Sequence, residues 1–151
     1  MNKMKYSMIL SLMFFAFYAT ARSGNASAAG EVIVLNKADF LAKVFNYEKN
    51  ASEWKYEGDK PCIIDFYADW CGPCRRVAPI LKELAAEYKD DIVIYKVDVV
   101  KEQELASAFG INSLPTLLFV PMQGKPKASM GLQPKETLAK YIDEFLLEKK
   151  N

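Results

Sequence analysis

Cys71 and Cys74, with Gly72-Pro73 between them and Trp70 before them, are the residues of this chain best suited to chemistry. Two thiols two residues apart can close into a disulfide and reopen. The spacing alone leaves three readings open: half of a zinc site, a structural clip, or a redox pair. Their surroundings separate these. Cys62-Ile63-Ile64-Asp65-Phe66-Tyr67 is a short apolar run rich in β-branched and aromatic residues, which predicts a buried strand. Beyond Cys74, the residues Val77, Ile80, Leu81, Leu84 and Tyr88 recur at helical spacing. The pair therefore falls where a central strand turns into a helix.

That position favours the redox reading. The first N–H groups of a helix have no intrahelical acceptors, and the aligned peptide dipoles favour negative charge there. Cys71, just ahead of the helix, is expected to hold its thiolate, and thiols so placed have pKa values of roughly 3.5–7.5. Cys74 lies about a turn further in and is expected to be the resolving thiol, attacking the mixed disulfide that Cys71 forms with a substrate. Pro73 sits near the first helical position, where a missing N–H costs little. Gly72 offers an approaching partner no side chain to meet.

Composition narrows the alternatives. The chain has 151 residues, about half of them apolar, which suits one compact domain. It has no histidine, so His-assisted nucleophiles, His general bases and most catalytic zinc sites are excluded. Three cysteines are too few for a four-cysteine zinc site. No metal and no cofactor is called for.

The amino terminus reads as a targeting segment. Met1 to Lys5 is positive, Ser7 to Ala21 is apolar, and Ala26-Ser27-Ala28 fits a small-x-small cleavage pattern. The expectation is a secretory signal peptide over residues 1–28 and one domain over 29–151, with Ala19-Thr20-Ala21 as a second cleavage point. The apolar run is short against the roughly 20 residues that span a bilayer, so no stable membrane insertion is expected after cleavage. Residues 1–28 hold Lys3, Lys5 and Arg22 and no acid, so the 20 basic residues fall to 17 against 19 acidic ones, a net −2. With no basic stripe, nucleic acid is not an expected partner. Export also places the cysteines where disulfides persist, with the bacterial periplasm the expected compartment.

The remaining pattern predicts strands at 31–35, 92–98, 116–120 and 127–130. Helices are expected at 37–45 (capped by Asn36), 102–109 (ended by Gly110) and from Pro134 onward, the last facing inward with Leu138, Tyr141, Ile142, Phe145 and Leu146. Pro79 falls within the helix after the cysteines and should kink it. Residues 46–60 are polar with interspersed Tyr47, Trp54 and Tyr56 and end in a turn signal at Gly58-Asp59-Lys60-Pro61. Cys62 reads as a small core residue.

Together these features resemble the thioredoxin family. The likeness runs from Ile63 to Leu147 and is carried by Asp65 six residues before Cys71, by Trp70-Cys71-Gly72-Pro73-Cys74, and by Pro79, Lys96-Val97-Asp98, Gly110-Ile111, Pro115-Thr116, Gly124 and Gly131. The resemblance implies an α/β thioredoxin fold, a central mixed β-sheet flanked by helices on both faces. It implies a cis peptide bond before Pro115, a buried Asp65 that takes and returns the proton of Cys74, and a Lys96 that pairs with that acid. Pro115 would offer backbone on which an extended substrate adds as a strand. Trp70, Gly72, Pro73, Val99, Leu114, Pro115, Gly131 and Leu132 would form a shallow apolar rim around Cys71, the one accessible thiol. The link at 46–60 is longer than is usual in the family and reads as a packed surface loop or a docking surface for one partner.

The expected activity is thiol–disulfide exchange, reducing protein disulfides through a reversible Cys71–Cys74 disulfide. A disulfide oxidant or isomerase, or a reductant of apocytochrome c thiols, is the alternative in the same compartment. The expected partners are protein disulfide or dithiol substrates and a membrane or exported electron donor; the resemblance suggests a monomer.

Overall fold

The computed structural model describes residues 29–149. The first expected element of the sequence, the targeting segment 1–28, lies outside them. Five strands form one sheet in the order β1-β3-β2-β4-β5. These are β1 (Val32–Val34), β2 (Cys62–Tyr67), β3 (Val93–Asp98), β4 (Thr116–Val120) and β5 (Lys127–Met130). The first three run parallel, while β4 is antiparallel to β2 and β5 to β4, so the sheet is mixed. Four helices flank it: α1 (Lys37–Lys43), α2 (Gly72–Glu87), α3 (Gln103–Ala108) and α4 (Lys135–Tyr141), the last continuing as a π-helical stretch over Ile142–Leu146.

Strand side chains alternate between two apolar layers, as the two-residue repeat requires. Ile63, Ile94, Leu117 and Phe119 pack with Val77, Leu81 and Leu84 of α2 and with Leu138, Ile142 and Leu146. Cys62, Ile64, Phe66, Tyr95, Val97, Leu118 and Val120 pack on the opposite face with Phe40 of α1 and Leu105 of α3. The central strand β2 is apolar almost throughout because both of its faces are covered. Asp65 and Lys96 interrupt the pattern, and both belong to the α2 side by alternation. Across the parallel pair they are register partners.

Local chemistry sets the boundaries. Asn36 caps α1, its Oδ1 accepting from the Asp39 N–H at 2.8 Å. Helix α2 begins at Gly72, earlier than the apolar spacing suggests, because Cys71 itself is the N-cap. Pro79 is exposed within α2 and removes one ladder bond there. Tyr141, expected on the inward face, is 39% exposed. Its ring lies along Phe119 with centres 5.1 Å apart, so it covers the edge of the core instead of filling it.

Residues 46–60 are packed down. Glu57 N–H donates to the Val44 carbonyl at 2.9 Å, and Tyr56 Oη donates to the Lys60 carbonyl at 2.5 Å. The Tyr56 ring folds over Gly58 so closely that a Cβ there would fall 2.3 Å from its hydroxyl oxygen. Phe45, Tyr47, Trp54 and Tyr56 join the layer on the α1–α3 side.

Candidate active site

One end of the sheet gathers the site. The parallel strands β2 and β3 both end there, at Tyr67 and Asp98; β4 begins there after Pro115, and β5 arrives there before Gly131. Loops leaving the carboxyl ends of parallel strands commonly carry function. Here the loop after β2 carries Trp70 and Cys71.

Cys71 and Cys74 are joined by a disulfide, with Cα atoms 5.3 Å apart. Cys71 Sγ accepts the Cys74 N–H at 3.2 Å, the position a capping oxygen takes in an ordinary helix. The sulfur therefore faces the unpaired donors and the positive end of a 16-residue helix. Around it, Ala68, Cys71 and Cys74 form a small buried cluster on which Tyr67, Val99 and Leu114 pack. The sequence suggested that Cys71 alone would be accessible. In the disulfide form both sulfur residues are covered, Cys71 at 5% and Cys74 at 3% exposure.

The other expected rim residues sort by exposure. Trp70 is 71% and Leu132 39% exposed; Gly72, Pro73, Val99, Leu114 and Gly131 are half-buried, and Pro115 is buried. The Leu114–Pro115 bond is cis. Pro115 has no N–H, and its carbonyl accepts the Gly131 N–H at 2.8 Å. The neighbouring peptide groups of Leu114 make no backbone hydrogen bond among the described residues. Two exposed apolar residues were missed: Met130 at 67%, beside Gly131, and Val100 at 51%, beside Val99. Large apolar residues at strand ends were the available signal.

Asp65 lies on the α2 face of the sheet, 4% exposed, and its Oδ1 has no hydrogen-bond partner among the described residues. Burial pushes its carboxyl up to about 7, with the positive charge of Lys96 opposing part of the rise. Lys96 forms no ion pair with it among the described residues. Its Nζ lies 5.2 Å from the centre of the Tyr67 ring, so the influence on Asp65 is through space. A cavity of about 400 Å³ borders both side chains together with Glu31, Ala78 and Lys82.

Residues 31–144 match the thioredoxin family model. The chain belongs to the thioredoxin family. It is 50% identical over 113 residues to the thioredoxin of Borreliella burgdorferi, covering 75% of this chain and 96% of that one. Against the thioredoxin of Haemophilus influenzae it is 36% identical over 116 residues, covering 77% and 98%. Among solved structures, a mutant thioredoxin from Halobacterium salinarum superposes with a TM-score of 0.63 at 28% identity, covering 80% of this chain and 95% of that one. The chain is a thioredoxin-type thiol–disulfide oxidoreductase of protein substrates, and Cys71–Cys74 is the Cys-x-x-Cys pair at disulfide distance.

The third thiol is set apart. Cys62 is fully buried on the sheet face opposite Asp65, and burial pushes its thiol up to about 12. With the protein reduced and native at pH 8, iodoacetamide is expected to label Cys71 while leaving Cys62 unmodified until denaturant is added; peptide mass mapping reads this. Labelling of Cys62 at a rate like that of Cys71 would contradict it.

Asp65 gives a pH prediction. Its folded value lies above the unfolded one of about 3.9, so the native state binds more protons between pH 4 and 7 and wild-type stability falls as pH rises through that window. Asp65→Asn removes this loss. Urea unfolding is expected to show the variant gaining on wild type by about 2–4 kcal/mol between pH 4 and pH 8. An equal difference at both pH values would contradict the assignment.

Proposed function

We propose that this thioredoxin is an exported reductase of protein disulfides. The observation that carries the reductive step is Cys71 Sγ at the N-cap of α2, receiving the Cys74 N–H. In the reduced protein the same donors would stabilise the Cys71 thiolate. That thiolate attacks one sulfur of a substrate disulfide, forming a Cys71–substrate bond and releasing the first substrate sulfur as a thiolate. Cys74 then gives its proton to the Asp65 carboxylate and attacks Cys71 Sγ. The second substrate sulfur leaves, and the Cys71–Cys74 disulfide holds the oxidation that the substrate lost.

The surroundings support these roles. A buried carboxyl held near 7 can both take and return a proton at neutral pH, and the cavity beside it gives that proton a way to exchange. Lys96 tunes Asp65 through its charge. Trp70, Gly72, Pro73, Val99, Leu114, Pro115, Gly131 and Leu132 supply the surface on which the substrate lies, with the peptide groups of Leu114, which make no backbone hydrogen bond among the described residues, positioned to pair with an extended chain.

Export rests on residues 1–28, whose charged start, apolar run and Ala26-Ser27-Ala28 fit a cleaved leader. In that compartment a dedicated exported or membrane donor would supply the electrons, and the protein would act as a monomer. N-terminal sequencing of the protein recovered from its native host is expected to begin at Ala29. An intact Met1 on protein in the cytosolic fraction would overturn the export reading.

Direction and enzymatic role have their own tests. Cys74→Ser is expected to accumulate mixed disulfides on Cys71 in the native compartment, released by reductant; recovery of no covalent partner would count against the exchange reading. A reduction potential near the value of about −270 mV known for thioredoxin, a reference taken from the family, fits a reductase. A potential near about −120 mV would make the protein an oxidant instead.

A further inference from the structure

We propose that the segment between α1 and β2 positions the substrate edge of the active site, with Trp54 and Tyr47 as the positioning residues. Both rings press on Phe109, Tyr47 with centres 6.1 Å apart and Trp54 with centres 6.5 Å apart, each edge-on. The inner side of Phe109 is held by Phe40 at 5.0 Å and Phe66 at 6.0 Å. Phe109 is thus clamped between the core and this segment.

Phe109 is the last residue before the chain turns toward the site. It caps α3; Gly110 follows with φ +61°, and the Ile111 N–H returns to the Ala106 carbonyl at 2.9 Å. Three residues later the chain reaches Leu114 and the cis bond to Pro115. Leu114 packs against the same buried layer as Phe109, Tyr47 and Trp54, the layer of Phe40, Phe66 and Leu105, and also against Cys71 and Cys74 in the small cluster at the disulfide. Val99 belongs to both as well. Trp54, through Phe109, and the substrate edge at Leu114 therefore bear on one shared buried layer. Packed interiors transmit displacement, because they have little free volume to absorb it.

A charge network fastens the same segment to α3. Lys37 Nζ bridges Glu48 of the segment at 2.7 Å and Glu104 of α3 at 2.5 Å, while the Lys37 N–H donates to Glu102 at 2.9 Å. Neither Tyr47 Oη nor Trp54 Nε1 has a hydrogen-bond partner among the described residues. What the two residues supply is the ring.

This inference rests on exchange chemistry at Cys71, and its test separates the two. Wild-type reduction of insulin by dithiothreitol establishes the chemistry on its own. Trp54→Ala is then expected to raise KM for insulin about three- to tenfold with kcat held within about twofold. Its rate with a small aromatic disulfide is expected to match wild type, since so small a substrate does not pair along the Leu114 edge. Trp54→Phe keeps a ring on Phe109 and is expected to restore the KM. If Trp54→Ala melts below the assay temperature, Tyr47→Leu takes its place with the same expectations. Wild-type KM in a folded ring-deleted variant overturns the proposal. So does an equal loss with insulin and with the small disulfide, which would mark general destabilisation.

Discussion

The structure depends on one sulfur taking the place of a capping oxygen. Helix α2 must start where β2 ends, and its unpaired N–H groups need an acceptor. Ordinary helices meet this need with Ser, Asn or Asp. Here Cys71 Sγ accepts the Cys74 N–H. The requirement of the helix and the requirement of the chemistry, a sulfur that carries negative charge well, are therefore met by the same atom. Much else follows from holding that junction still: β2 is buried on both faces, α2 is pinned by Val77, Leu81 and Leu84, and the cis Leu114–Pro115 segment closes over the sulfur pair.

Asp65 shows what the arrangement costs. A carboxyl in the core, with one oxygen unpaired among the described residues, is unfavourable for folding once it ionises. A neutral isostere would pack there with less penalty. Under the proposed reaction the acid has a reason to stay, since a proton must move at the second cysteine as the mixed disulfide resolves. Stability given up at a site that needs a poised group is a common pattern. Lys96 moderates the penalty at a distance, through its charge, while its ammonium stays over the Tyr67 ring.

The local parts of this fold were legible in the sequence. The run from Cys62 to Tyr67 is too apolar and too short to be anything but a buried strand, and the spacing from Val77 to Leu84 fixes the inner face of α2. Asn36 and Gly110 mark helix ends through their own backbone chemistry. The cis bond before Pro115 came from family resemblance, because nothing in the local residues distinguishes it from a trans turn. Other features depend on distances that sequence order does not contain. Trp54 meets Phe109 across 55 positions, and only the folded chain brings them together. The separation of Lys96 from Asp65 is a rotamer choice between a carboxylate and an aromatic ring. That Pro115 spends its carbonyl on Gly131 depends on how β5 arrives beside β4.

The most direct test of the whole account is the pH dependence of alkylation at Cys71 in the reduced protein, followed residue by residue. The account expects half-maximal reactivity below about pH 7.5, with Cys71 reacting well ahead of Cys74. A midpoint near the free-cysteine value of about 8.5, or equal reactivity of the two thiols, would contradict it.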